Sequence, residues 1–191
     1  FIKNMGKQFI SVDYCEERRV EFTDRIRYYY PFQDIIGRNR GKFIAACEIL
    51  QNSLLALQNR LHVDRTKSCP IQICKGSNWF SITHDFALYL LKQMPLIDKH
   101  FSKSLCADEL FLQSIAYASP YKDSIVNSNM RLIDWHRGKP YTFLLSDYEQ
   151  LITSDHLFAR KFDENVDMDI VFKLFEHIQN SEQDFELKSS L

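Results

Sequence analysis

The stretch that decides the fold class is residues 71–91, which read IQICKGSNWFSITHDFALYLL. Two short runs rich in β-formers flank Gly76-Ser77-Asn78, a composition typical of a turn, so the first half predicts a strand, a turn and a strand. Thr83 then stands where a helix N-cap is expected, with Asp85 in the first turn, and a helix is predicted as far as Leu91. Strands that run directly into a helix indicate a mixed α/β fold.

The rest of the chain continues this alternation of helices and short strands. The clearest helical pattern is Lys42 to Leu61, where apolar residues recur at steps of three and four. The other predicted elements are a strand over Gln8 to Asp13, a helix from Ala107 toward Tyr117, a short strand over Arg131 to Trp135, a helix starting at the capping box Ser146 to Glu149, and a helix over Asp169 to Ile178. The segment Glu16 to Tyr30 has no clear period, and the polar tail from Asn180 is predicted to fray.

Composition excludes several functional classes. The 191 residues carry 24 Lys and Arg against 25 Asp and Glu, a net charge of −1, which provides no general field for nucleic acid. No apolar run approaches the roughly 20 residues that a membrane-spanning helix needs.

The five cysteines are an odd number, and Cys69 and Cys74 are too far apart for a C-x-x-C site. Free thiols are therefore expected, which favours a reducing compartment.

The sequence lacks the common motifs for metal, phosphate and acyl chemistry. Its six His have no metal-ligand spacing, its five Gly form no phosphate cradle, and no G-x-S-x-G elbow is present. One D-x-D, Asp167-Met168-Asp169, has the form of a metal-diphosphate site, but it lies just before a predicted helix. We interpret one of these aspartates as an N-cap.

Three features carry the remaining candidate chemistry. Asp108-Glu109 opens a predicted helix, where a carboxylate serves either as a general base or as a simple cap. Arg137-Gly138-Lys139 and Arg160-Lys161 are basic pairs, and the second lies between apolar residues instead of in an open charged stretch. Trp79 and Trp135 are the only tryptophans, and core packing and sugar stacking both remain open for them.

Four motifs in order resemble one enzyme family. They are GSNWFSIT from Gly76, ADELF from Ala107, RLIDW from Arg131 and SDHLFARKFD from Ser154. Together they resemble the core-2/I-branching β-1,6-N-acetylglucosaminyltransferases, a family that includes the protein O-xylosyltransferases. Within this family, they most resemble the bacterial branch. The likeness extends more loosely to the amino-terminal segments QFISVD and DRIRYY.

The resemblance implies an inverting glycosyltransferase that uses a nucleotide sugar and no metal or other cofactor. Glu109 falls at the family's catalytic carboxylate, where it would deprotonate the acceptor hydroxyl. Lys161 and Arg160, with Arg137 or Lys139 upstream, would neutralise the diphosphate of the leaving nucleotide.

The resemblance also implies the substrates. The donor would be a UDP-sugar of the GlcNAc or xylose type, and the acceptor a hydroxyl of a glycan or polysaccharide. Trp135 matches a position that packs on the acceptor sugar. Trp79, Asp108 and Arg25 are the other expected acceptor-side residues.

Fold, domain content and location follow from the same resemblance. A GT-A-like α/β fold is expected. Residues 1–191 are expected to be a single domain, the carboxy-terminal portion of a longer enzyme, without the amino-terminal nucleotide-binding part of that enzyme. A bacterial member would be cytoplasmic or peripheral at the inner face of the membrane, and a eukaryotic one would lie in the Golgi lumen. The alternative function is a non-catalytic carbohydrate-binding remnant or scaffold.

Overall fold

A computed structural model describes residues 5–15, 20–36, 41–138 and 140–189. The chain divides into two compact units, Phe1–Asn129 and Met130–Leu191. Helices and short strands alternate in both, which confirms the α/β class and is consistent with a GT-A-like fold. That residues 1–191 form one portion of a longer enzyme stays a prediction.

The first unit is built on a three-stranded mixed sheet. Strand β1 (Gln8–Tyr14) lies in the centre, antiparallel to β2 (Lys75–Ser81) and parallel to the short β3 (Ile125–Val126). The pairing of β1 with β2 is irregular on both sides of Val12, which lies opposite Gly76. Such irregularities bend a strand and change the direction in which its side chains point.

Gly76 is required at that irregular pairing. A Cβ atom placed on it would lie 1.9 Å from the carbonyl oxygen of Ser11, far inside van der Waals contact. The two backbones can therefore approach only where no side chain stands. The prediction of a turn at Gly76-Ser77-Asn78 was wrong, because these residues lie inside β2 and the glycine serves a close strand contact.

A disulfide joins the ends of β1 and β2. Cys15 is bonded to Cys74, 59 residues later, while Cys47, Cys69 and Cys106 are free. The expectation of free thiols was wrong for this pair. Cys74 is fully buried and belongs to the main core cluster, so the bond lies inside the packed part of the first unit.

Five α-helices lie within the described residues of the first unit. They are α1 (Val20–Arg27), α2 (Lys42–Arg60), α3 (His84–Lys92), α4 (Met94–His100) and α5 (Phe111–Tyr117). The core cluster beneath the sheet contains Ile10, Val12, Cys74, Phe86, Leu112 and Ala116. A second cluster packs Ile26 of α1 against Phe101 and Leu110.

A buried polar side chain of β1 attaches α3 to the sheet. The Thr83 side chain accepts from the backbone N–H of Phe86 and caps α3, as predicted. The side-chain amide of buried Gln8 donates to the Thr83 hydroxyl, and its oxygen accepts from the Thr83 backbone N–H. This pair fixes the start of α3 against β1.

Where the structure describes it, the second unit contains two strands and two α-helices. Strand β4 (Arg131–Ile133) pairs in parallel with β5 (Phe158–Arg160), and α6 (Tyr148–Ile152) precedes β5 in the chain. The last helix, α7 (Met168–Ser189), is longer than predicted, so the expectation of a frayed tail from Asn180 was wrong for the backbone.

Other boundaries differ from the sequence patterns in informative ways. The predicted helix over Ala107 to Tyr117 is a 3₁₀ turn, Ala107–Glu109, followed by α5. Near Ser146 the cap is supplied by Asp147, whose carboxylate accepts from the backbone N–H of Leu144. Within the described residues, no helix combines the length and the apolar character that crossing a bilayer requires.

The disulfide should contribute measurably to stability, because it closes a loop of 59 residues in the unfolded chain. We expect Cys15→Ala to lower the free energy of unfolding by about 2–4 kcal/mol in chemical denaturation, the usual range for a native disulfide. Cys47→Ala is the matched control, since it removes a free thiol and no bond. A reductant should destabilise the wild type and leave Cys15→Ala unchanged; equal sensitivity of both proteins would contradict the bond.

Candidate functional site

The candidate base, Glu109, is the last residue of the 3₁₀ turn Ala107–Glu109. Cys106, just before the turn, has a left-handed backbone with φ of 51°, and the backbone N–H of Leu105 donates to the carbonyl of Arg25 at 2.7 Å. Leu110, just after Glu109, is fully buried in the cluster that also holds Ile26. The backbones that carry Glu109 and Arg25 are therefore attached to each other.

Two cations contact the same carboxylate oxygen of Glu109. Nη1 of Arg25 lies 2.6 Å from Oε2, a charge-assisted hydrogen bond, and Nζ of Lys75 lies 3.8 Å from it. The side chains of Arg25 and Glu109 are about one-third exposed, at 31% and 32%. The structure thus brings together two predicted site residues, Arg25 and Glu109, at a partly open surface of the first unit.

Lys75 is a site residue that sequence reasoning missed. It precedes Gly76 in β2 and also lies 3.8 Å from the carboxylate of Asp13 in β1. Its side chain is 22% exposed and links the two carboxylates. The available signal was the antiparallel pairing of β1 with β2, which sets Tyr14 opposite Lys75, but the sequence does not show that register.

Asp108 and Trp79 belong to the same region of chain. The carboxylate of Asp108 accepts a hydrogen bond of 3.0 Å from the side-chain amide of Asn78. Trp79 is the next residue of β2, and 41% of it is exposed, so core packing alone does not account for it. The acceptor roles predicted for Trp79, Asp108 and Arg25 stay predictions.

In the second unit, Trp135 stands on a tight turn. Oδ1 of Asp134 accepts from the backbone N–H groups of His136 and Arg137, at 2.8 and 3.0 Å. Trp135 is 62% exposed on this turn, which favours a surface role over core packing. Its role as an acceptor platform stays a prediction.

Arg137 is held by two carboxylates. Its Nε lies 2.6 Å from Asp134, and its Nη1 lies 2.7 Å from Asp147. Nη2 donates to the side-chain oxygen of Gln150 at 3.3 Å, and the guanidinium lies 4.0 Å from the centre of the Tyr141 ring. The structure therefore places this predicted diphosphate residue in a network of protein contacts, and its predicted ligand role is untested.

The contacts within this network shift the pKa values of its members. Hydrogen bonds from Arg137, with those of nearby backbone N–H groups, lower the pKa of Asp134 from 3.8 to about 2. Burial would raise the pKa of Asp147, but the Leu144 N–H and Arg137 outweigh it and lower that pKa. The same two carboxylates raise the pKa of Arg137 above its ordinary value.

The other two cationic candidates that the structure describes, Arg160 and Lys161, are neighbours in the chain. Arg160 ends β5 and is half-buried, and the next residue, Lys161, is exposed. The backbone of Lys161 is anchored on both sides, because its N–H donates to the Tyr141 carbonyl and its carbonyl accepts from the Phe143 N–H. Lys139, the alternative to Arg137, lies outside the described residues.

The D-x-D motif serves as a helix cap. One carboxylate oxygen of Asp167 accepts from the backbone N–H of Ile170, and the other accepts from that of Leu145. The bond from Ile170, in the first turn of α7, confirms the N-cap interpretation. Backbone donors, that of Leu145 foremost, also lower the pKa of Asp167. No group of three His, Cys, Asp or Glu side chains converges in the described parts of the chain, and metal independence stays a prediction.

Comparison with known proteins identifies similar sequences. The family model described as Core-2/I-Branching enzyme matches residues 46–152, more than half of the chain. Its matched range contains Trp79, Asp108, Glu109, Trp135 and Arg137, and it ends before Lys161.

Several xylosyltransferases are also similar. The chain is 26% identical to xylosyltransferase 2 of Rattus norvegicus over 128 residues, which cover 56% of this chain and 15% of that protein. It is 26% identical to xylosyltransferase sqv-6 of Caenorhabditis elegans over 162 residues, 71% of this chain and 20% of that protein. Xylosyltransferase 1 of Rattus norvegicus matches at 26% over 164 residues, 72% and 20%. The matches thus span a fifth or less of these relatives.

The contacts of Asp134 predict its behaviour in acid. Because its pKa in the folded protein is about 2, below the ordinary 3.8, its contribution to stability is complete above pH 4 and is lost as the pH falls toward 2. Carbon-13 NMR of the Asp134 carboxyl should therefore show a titration midpoint near pH 2. Arg137→Met should return the midpoint toward 3.8, and equal midpoints in the two proteins would contradict the assigned contacts.

Proposed function

Because this chain belongs to the core-2/I-branching enzyme family, we propose that it transfers a sugar from a UDP-sugar to a hydroxyl of a glycan or polysaccharide. The observation that carries this proposal is Glu109, a partly exposed carboxylate in the family motif whose Oε2 is held by Arg25 and Lys75. The relatives with the printed name xylosyltransferase support sugar transfer as the reaction class.

Glu109 acts as the general base in this proposal. Both cations contact Oε2, so we assign the proton to the other oxygen, Oε1. As the acceptor oxygen attacks the anomeric carbon, its proton passes to Oε1 and the bond to the diphosphate breaks. A single displacement with one base inverts the anomeric configuration. Arg25 and Lys75 restrict the carboxylate, which keeps it oriented for this transfer.

Lys161 and Arg160 act on the donor in this proposal. Negative charge grows on the diphosphate as the sugar leaves, and cationic side chains stabilise it in the transition state. Two features support the assignment: Lys161 is exposed, and its backbone is fixed on both sides by the segment that contains Tyr141 and Phe143. Because cations supply this charge, the reaction is proposed to need no metal.

The acceptor roles are assigned to the exposed aromatic and polar groups. Trp135 and Trp79 expose 62% and 41% of their surface, enough for a sugar ring to stack on them. Asp108, fixed by Asn78, would accept hydrogen bonds from sugar hydroxyls. Arg25 contributes indirectly by holding Glu109.

The proposed location follows from the disulfide. A bond such as Cys15–Cys74 forms and persists in oxidising compartments and is rare in the cytosol. The disulfide therefore favours the Golgi lumen over the cytoplasm or the cytoplasmic face of a membrane.

Replacing the base should reduce turnover. With the protein expressed from its whole gene, we expect Glu109→Gln to lower the rate of UDP release from UDP-xylose or UDP-GlcNAc by at least about 100-fold, as expected for loss of a general base. UDP affinity in calorimetry should persist. Glu176→Gln, on the exposed side of α7, is the control and should keep full activity.

The same assay separates the alternative functions. Unchanged turnover in Glu109→Gln would remove this residue from the base role. A wild-type protein with no UDP affinity and no turnover, but with glycan affinity, would favour the non-catalytic carbohydrate-binding alternative.

Metal removal tests the role of the cations. Turnover should be the same with EDTA as with added Mn²⁺ or Mg²⁺, because Lys161 and Arg160 would carry the charge that a metal otherwise carries. Loss of activity in EDTA that only a divalent cation restores would contradict this proposal.

A further inference from the structure

We propose that Arg137 is a positioning residue that holds Trp135 and the backbone of Lys161, and that it is not a ligand of the diphosphate. This inference rests on the proposed function for its consequences in catalysis. Its structural part concerns only the network that Arg137 forms within the second unit.

Each of the three guanidinium nitrogens of Arg137 makes a hydrogen bond within the second unit. Nε and Nη1 bond carboxylates at 2.6 and 2.7 Å, and Nη2 bonds an amide oxygen at 3.3 Å. The face of the guanidinium also lies on Tyr141. The positive charge of Arg137 is thus already balanced by two carboxylates, which makes it a weak partner for a diphosphate unless one of those pairs is broken.

One of those carboxylates, that of Asp147, cannot be released into water without rearrangement. The side chain of Asp147 is 8% exposed, and its other oxygen accepts from the backbone N–H of Leu144 at 2.9 Å. Removing one partner of such a pair leaves an uncompensated buried charge, which is strongly unfavourable. Arg137 is thus needed where it lies.

The hydrogen-bond network of Arg137 includes the turn that carries Trp135. Asp134 receives three hydrogen bonds: from the backbone N–H groups of His136 and Arg137, and from Nε of Arg137. Trp135 is the residue between Asp134 and His136, so these bonds fix its backbone from both sides. The exposed indole therefore stands on an ordered turn.

The same network extends through Tyr141 to the backbone of Lys161. The backbone N–H of Tyr141 donates to the carbonyl of Asp134 at 2.9 Å, and the Tyr141 carbonyl accepts from the Lys161 N–H at 3.2 Å. Because Arg137 also packs on the Tyr141 ring, it contacts the residue that connects the turn to Lys161. An acceptor-side residue and a donor-side residue are thus oriented by one guanidinium.

The test compares variants that a ligand and a positioning residue would affect differently. Arg137→Met removes the cation, whereas Asp147→Asn keeps the cation and loosens its restraint. Arg137→Lys keeps a positive charge, but an ammonium cannot bridge Asp134 and Asp147 as the planar guanidinium does. Lys92→Met, at an exposed site in α3, controls for the loss of one positive charge.

The first readout is UDP affinity by calorimetry, in the protein expressed from its whole gene. We expect Arg137→Met, Arg137→Lys and Asp147→Asn each to weaken UDP binding by about tenfold, within the coupling found inside one salt-bridge network. If Arg137 is a direct ligand, Asp147→Asn and Arg137→Lys will retain wild-type affinity and only Arg137→Met will lose it. That pattern would overturn the proposal.

The second readout does not depend on any substrate. The fluorescence anisotropy of Trp135, taken as the difference between each protein and its Trp135→Phe counterpart, reports the order of the turn. We expect anisotropy to fall in all three variants and to stay unchanged in Lys92→Met. Unchanged anisotropy in Arg137→Met, with its melting temperature still measurable, would overturn the positioning role.

These readouts separate the failure of the inference from the failure of the proposed function. A wild-type protein that does not bind UDP would contradict the proposed function, while the anisotropy would still decide whether Arg137 orders Trp135. A wild-type protein that binds UDP, with variants that follow the ligand pattern, would contradict only the inference.

Discussion

The contact on which the first unit depends is the close approach of β1 and β2 at Gly76. Because no side chain stands there, the Ser11 carbonyl can lie where a Cβ atom would be only 1.9 Å away. This approach brings Cys15 and Cys74 within bonding distance and places Lys75 between Asp13 and Glu109. The fold and the arrangement around the candidate base therefore share one steric requirement.

Local patterns predicted the elements that local interactions determine. The helix beginning at Lys42 and the Thr83 cap were confirmed, because apolar spacing and a capping hydroxyl act over a few residues. The Cys15–Cys74 bond and the ion pairs of Lys75 were missed, because they join residues far apart in sequence through a strand register that no local pattern encodes. Gly76 was misjudged for a related reason: glycine is typical of turns and of close backbone contacts alike.

The candidate residues divide in the same way. The pairing of Glu109 with Arg25 was not predicted from either motif, although the resemblance had selected both residues. For Arg137 the family resemblance implied a diphosphate ligand, with Lys139 as the alternative, whereas its neighbours in space, Asp134 and Asp147, already balance its charge. A sequence shows which side chains carry charge, and only the fold shows whether that charge has a partner within the protein.

The central claim is that Glu109 catalyses a single displacement at the anomeric carbon of a nucleotide sugar. The most direct test is proton NMR of the product formed from an α-linked UDP-sugar. With water as acceptor, the free sugar is recorded before its anomers equilibrate; with a glycan as acceptor, the new glycosidic bond is recorded. One displacement predicts that the β configuration forms first. A product that first retains the α configuration would contradict the account, because retention requires a different mechanism from the one assigned to Glu109.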